Sequence, residues 1–135
     1  MTDAGINMLK RHEGLRLKVY KDSVGILTIG YGRNLEGKGI SAGEAGVLLI
    51  HDILDTETFL QGFFPKWESM TPNRQDALTN MCFNLGTAGF SKFTKTIEFI
   101  NNEQWEEASL AMLQSRWAEQ VGNRAHELAE LVKAG

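Results

Sequence analysis

The sequence predicts an α+β fold that is mostly α. A small β-containing lobe lies near the N-terminus, and a larger all-α body follows. Three observations carry this reading. Residues 16–31 have the alternation and turn chemistry of a β-hairpin. From Ser41 onward the apolar spacing is helical. The chain has 135 residues, 42% of them apolar and 23% charged, which suits one domain or two small lobes sharing a core.

Residues 3–13 read as a short helix, with Ile6, Met8 and Leu9 turned inward and Gly14 ending it. Residues 16–21 (Arg16, Leu17, Lys18, Val19, Tyr20, Lys21) alternate as a half-buried strand does. Asp22-Ser23-Val24-Gly25 supplies turn residues, and Ile26–Tyr31 returns as a β-branched and aromatic strand. Gly30, Gly32, Gly37 and Gly39 punctuate a loop over 32–40. Ser41-Ala42-Gly43-Glu44 is a capping box. It opens a long helix through Leu48, Leu49, Ile53, Leu54 and Leu60, which stops by Pro65. Thr71-Pro72 pairs an N-cap with proline at the first helical position. The helix it starts carries Ala77, Leu78, Met81, Cys82 and Leu85 and stops at Gly86. Shorter helices follow at 94–101 and 104–115, and a last one begins near Asn123 with Leu128, Leu131 and Val132. The expected division is a β-lobe over 14–40, a connecting helix over 41–64, and a helical lobe over 65–135 joined by helix 3–13.

Composition narrows the function classes. A single cysteine, Cys82, excludes an intrachain disulfide framework and suits a reducing cytosol. His12, His51 and His126 have no ligand-like spacing, so no metal and no cofactor are expected. There is no nucleophile elbow and no phosphate-binding glycine loop. No apolar run approaches about 18 residues, so no stable membrane insertion is expected. The first residues lack the pattern of a signal peptide. The net charge is −3, yet residues 1–40 hold seven basic and four acidic side chains. That +3 balance without a dense Lys/Arg run does not read as a nucleic-acid surface.

Carboxylates remain as the chemical groups. Glu13 falls at the predicted C-terminus of the first helix, where the negative end of the helix dipole disfavours ionisation and suits a general acid. Asp22 follows in the hairpin turn and Thr28 on the returning strand. Two carboxyl groups in unequal environments are what glycosidic hydrolysis needs. From residue types alone, a surface Glu, a turn-forming Asp and a β-propensity Thr fit equally well.

Order and spacing then carry a resemblance. Glu13-Gly14-x-Arg16-Leu17-x-x-Tyr20-x-Asp22-x-x-Gly25-x-x-Thr28-Ile29-Gly30-Tyr31-Gly32 resembles the signature of phage-type (T4-type) lysozymes, glycoside hydrolase family 24. Asn80-Met81-Cys82-Phe83-Asn84-Leu85-Gly86, Phe93-Thr94-Lys95-Thr96, Trp105-Glu106-Glu107-Ala108, Ser115-Arg116-Trp117 and Asn123-Arg124-Ala125 agree in order.

The resemblance implies a lysozyme-like fold, with a reduced β-hairpin lobe and a helical lobe joined by the long helix. It implies an endolysin cleaving the β-1,4 bond between N-acetylmuramic acid and N-acetylglucosamine in peptidoglycan, with inversion. Glu13 is then the general acid, Asp22 the second carboxylate and Thr28 the residue on the water side of the sugar. Arg124 matches the arginine that supports the catalytic Glu, while Asn34, Phe83 and Thr96 match substrate-cleft positions. Ala111 stands where the family has a cleft asparagine. Arg33 and Asp52 occupy the places of a family ion pair, so an Arg33–Asp52 bridge is expected. Between Leu35 and Ser41 the β excursion of the longer members is missing, and so is their final helical segment. The implied partners are glycan strands and a holin for release, with the enzyme a monomer made in the host cytoplasm and acting at the wall. The alternatives are a muramidase domain of a larger tail or wall-remodelling protein, and a non-catalytic binding or assembly domain of the same fold.

Overall fold

The computed structural model describes all 135 residues. Helix α1 (Asp3–Glu13) leads into strands β1 (Arg16–Lys21), β2 (Leu27–Gly30) and β3 (Arg33–Asn34). Helix α2 (Ala42–Phe63) and a short 3-10 turn at Trp67–Ser69 come next. Helices α3 (Pro72–Ser91), α4 (Thr94–Asn101), α5 (Trp105–Leu113), α6 (Arg116–Val121) and α7 (Asn123–Ala134) complete the chain. The predicted class, α+β and mostly α, is the observed one.

The chain forms two compact units, Met1–Val47 and Leu48–Gly135, and α2 begins in the first and ends in the second. In the first unit the antiparallel sheet has the order β1-β2-β3. Tyr20 faces Thr28 and Lys21 faces Leu27, while an irregularity between Arg16 and Tyr20 bulges β1. Thr28 pairs with Asn34 on β3, a strand too short to show in the glycine-punctuated loop predicted at 32–40. Thr2 caps α1 by accepting a hydrogen bond from the Gly5 N–H at 3.1 Å. Gly14 ends the helix with a positive φ of 73°, a conformation only glycine takes cheaply. The last turn of α1 meets the turn after β2, where Lys10 lies 5.6 Å from the centre of the Tyr31 ring. Ile6, Met8 and Leu9, turned inward by periodicity, are 40%, 46% and 48% exposed.

The capping box before α2 forms as predicted. The Ser41 Oγ accepts from the Glu44 N–H at 3.1 Å, and Glu44 Oε1 accepts from the Ser41 N–H at 3.0 Å.

The core lies in the second unit. Leu60, Phe64, Trp67, Leu78, Met81, Phe90, Ile100, Met112 and Val132 are buried there. Phe63, Phe64, Trp67 and Phe90 stack or meet edge to face. Thr71 caps α3 through the Arg74 N–H. Gly86 breaks the helical dihedrals with φ 77° and ψ 160°, so the predicted stop falls there, and a further short helical stretch runs on to Ser91. Phe90, fully buried, supplies the reason: the resumed turn inserts its ring into the aromatic cluster.

Candidate active site

The first unit holds three of the predicted residues. Glu13 is the last residue of α1 and is exposed. Its side chain lies over the backbone of Gly32, which adopts a positive φ of 74°. A Cβ placed on Gly32 would stand 2.5 Å from Glu13 Oε2 and 3.2 Å from its carboxyl carbon. A glycine two residues past β2 is thus in direct contact with the carboxyl at the end of α1.

Asp22 is half-buried in the turn between β1 and β2. Its Oδ1 accepts hydrogen bonds from the Val24 and Ile26 N–H groups, both at 2.9 Å. The turn closes with the Asp22 N–H donating to the Ile26 carbonyl at 2.9 Å. Oδ1 therefore holds the hairpin, while Oδ2 makes no hydrogen bond within the chain.

Thr28 sits on β2 and is buried, with 4% of its surface exposed. Its hydroxyl donates to the Ile26 carbonyl at 2.8 Å, which leaves the oxygen lone pairs free to accept. The same carbonyl takes the Asp22 N–H, so Thr28 and Asp22 are locked to one backbone oxygen.

Arg33 is ion-paired with Glu44. Its Nη2 lies 2.7 Å from Glu44 Oε2, and Nη1 donates to Glu44 Oε1 at 2.9 Å and to the Gly39 carbonyl at 3.1 Å. The capping glutamate of α2 meets the guanidinium with both oxygens, a fork-to-fork arrangement within the first unit. The hydrogen bond from Arg33, reinforced by the Ser41 N–H, holds the Glu44 carboxyl down at about 2. Asn34 spends its side-chain oxygen locally, accepting from the Gly37 N–H at 2.7 Å.

In the second unit, Arg124 on α7 donates from Nε and Nη2 to Asn80 Oδ1, at 2.9 and 2.7 Å. Both side chains line an open cavity of about 390 Å³ together with Phe83, Thr79, Glu57 and Asp76. Phe83, 41% exposed, is a lining residue of this cavity and not part of the core. The Thr79 hydroxyl is buried in this wall without a hydrogen-bond partner. Thr96 is buried on α4, and Ala111 is half-buried on α5. Neither lines the cavity.

Gly32, Glu44 and Asn80 were not among the candidates. Gly32 and Asn80 stood in the motifs, and Glu44 in the capping box, but spacing does not report which side chain touches which backbone. No cluster of His, Cys, Asp or Glu has the arrangement of a metal site. No helix is long and apolar enough to cross a membrane.

Residues 10–133 match the family model described as phage lysozyme. The pre-baseplate central spike protein Gp5 of Enterobacteria phage T4 is 31% identical over 95% of this chain, which spans 27% of that protein's length. An endolysin of Acyrthosiphon pisum secondary endosymbiont phage 1 is 30% identical over 98% of this chain and 90% of its own. The endolysin of Salmonella phage P22 is 32% identical over 81% of this chain and 78% of its own.

Proposed function

Since the chain belongs to the phage lysozyme family, we propose that it is an endolysin that hydrolyses the β-1,4 bond between N-acetylmuramic acid and N-acetylglucosamine in peptidoglycan. One observation carries the assignment of roles. The hairpin turn pins one oxygen of Asp22 and leaves the other free, beside a buried Thr28 whose hydroxyl oxygen still has lone pairs to offer. In this reading Glu13 protonates the leaving glycosidic oxygen as the bond breaks. The free Asp22 oxygen stabilises the oxocarbenium-like centre and takes the proton that the attacking water gives up, while Thr28 accepts a hydrogen bond from that water through its other hydrogen. Water adding from the face opposite the leaving group gives inversion. Arg124 supports the acid, while Asn34, Phe83 and Thr96 belong to the sugar cleft. The enzyme acts as a monomer on glycan strands, and a holin releases it from the host cytoplasm.

The test is clearing of purified, outer-membrane-free cell walls by wild type and Glu13→Gln. Wild type clears them and Glu13→Gln does not. An inert wild type overturns the enzyme reading, and a fully active Glu13→Gln overturns the choice of acid. Product analysis by NMR should find the α-anomer first, since inversion starts from a β-linkage.

The likeness to a spike protein favours a second reading, a wall-degrading domain of a larger tail protein. The flanking genes separate the two: a neighbouring holin supports the endolysin, and an in-frame tail sequence supports the domain.

A further inference from the structure

We propose that Gly32 is a positioning residue for Glu13, its missing side chain being the seat in which the carboxyl rests; the inference rests on Glu13 acting as the acid. Several glycines in the first unit have positive φ, among them Gly14, Gly25, Gly30 and Gly39. Backbone conformation alone accounts for each of these, because a Cβ at Gly14, Gly25 or Gly30 meets nothing within 4 Å, and one at Gly39 meets only the Leu35 carbonyl at 3.8 Å. Gly32 differs. Its Cβ would meet three consecutive atoms of Glu13, at 2.5, 3.2 and 3.6 Å. The position needs glycine twice, once for φ 74° and once for the space.

The clash falls on the free end of a flexible side chain, so the chain relieves it by moving the carboxyl and not the backbone. Ordinary contact begins at 3.4 Å, so Oε2 must retreat by about 0.9 Å from its present 2.5 Å. A misplacement of roughly 1 Å costs about 100-fold in rate when geometry carries the chemistry. Gly32→Ala should therefore lose activity out of proportion to stability.

Gly39→Ala is the matched control, with the same left-handed strain (φ 65°), in the same unit, away from Glu13. Both variants should melt within about 3 °C of each other, each below wild type. On cell walls, Gly32→Ala should lose about 100-fold in kcat at unchanged KM, and Gly39→Ala less than 3-fold. An aryl glycoside with a strongly acidic phenol as leaving group needs little protonation, so on it Gly32→Ala should recover most of its rate. A merely structural defect would slow both substrates alike. A Gly32→Ala kcat within 3-fold of Gly39→Ala, or equal losses on the two substrates, overturns the proposal.

The 13C resonance of the Glu13 carboxyl gives a readout free of activity. It should move in Gly32→Ala and stay in Gly39→Ala; if it stays in both, the seat is wrong even where the enzyme reading holds. If wild type clears no walls but the resonance moves, the seat stands and the muramidase reading fails. Should Gly32→Ala not fold, Glu13→Ala/Gly32→Ala must fold, since the clash has been removed. Failure of that pair to recover also overturns the proposal.

Discussion

Replacing Asp22 by asparagine separates the two tasks of this side chain. Oδ1 holds the hairpin by accepting from the Val24 and Ile26 N–H groups, both at 2.9 Å. An asparagine carbonyl can take both bonds, so the turn survives and only the charge is lost. Alanine removes the acceptor altogether. Two such bonds contribute about 0.5–1.5 kcal/mol each, so Asp22→Ala should lose about 1–3 kcal/mol. For a chain of this size that is a fall in Tm of roughly 4–12 °C. Asp22→Asn should lie within about 1 kcal/mol of wild type, because charge-assisted bonds become neutral ones. Both variants should lose wall-clearing activity by about 100- to 1,000-fold, the range for removing one electrostatic stabiliser of a developing charge. Urea titration followed by circular dichroism gives the first pair of numbers, and initial clearing rates give the second. An Asp22→Asn enzyme with half the wild-type kcat would refute the charge role. An Asp22→Ala protein as stable as wild type would refute the turn role.

Three further outcomes follow from the Arg33–Glu44 pair, the Arg74 guanidinium and the buried thiol. The folded Glu44 carboxyl titrates at about 2, below its unfolded value of about 4.3, so the stability it contributes is present above pH 4.3 and disappears as pH falls toward 2. Thermal melts between pH 5 and 2 should therefore fall more steeply for wild type than for Glu44→Gln, and parallel curves would refute the pairing. Arg74 donates to the Val132 and Lys133 carbonyls at 2.8 and 3.2 Å and lies 4.0 Å from the Trp105 ring centre, clamping α3, α5 and the end of α7. Arg74→Met should cost about 2–4 kcal/mol in urea unfolding, with a change under 0.5 kcal/mol refuting the clamp. Burial pushes the Cys82 thiol up to about 11, so a disulfide reagent at pH 8 should leave the native protein untouched and titrate one thiol in urea. Rapid native labelling would contradict it.

Much of the fold was legible because its signals are local. Thr71-Pro72 and Ser41-x-x-Glu44 mark helix starts by satisfying free N–H groups, and α3 and α2 begin where those residues stand. Gly86 does break α3, but the resumption depends on Phe90 reaching a tertiary cluster that no local pattern contains. Strand β3 has two residues, and α6 has six, both below the length at which periodicity speaks. Ser115 does cap α6, accepting from the Ala118 N–H at 3.2 Å, and was the available cue. In the site, order and spacing pointed to Glu13, Asp22 and Thr28, whereas Arg33 shows the limit. Reach and rotamer, not sequence distance, brought its guanidinium to the capping Glu44.

The sheet has an aspect unrelated to catalysis. Its order leaves β1 and β3 as open edges, and each edge is blunted. β3 is two residues long, while β1 is bulged and carries Arg16, Lys18 and Lys21. A second copy approaching edge to edge meets like charge, an irregular ladder or too few partners. Copies can therefore crowd together without templating intermolecular β-structure.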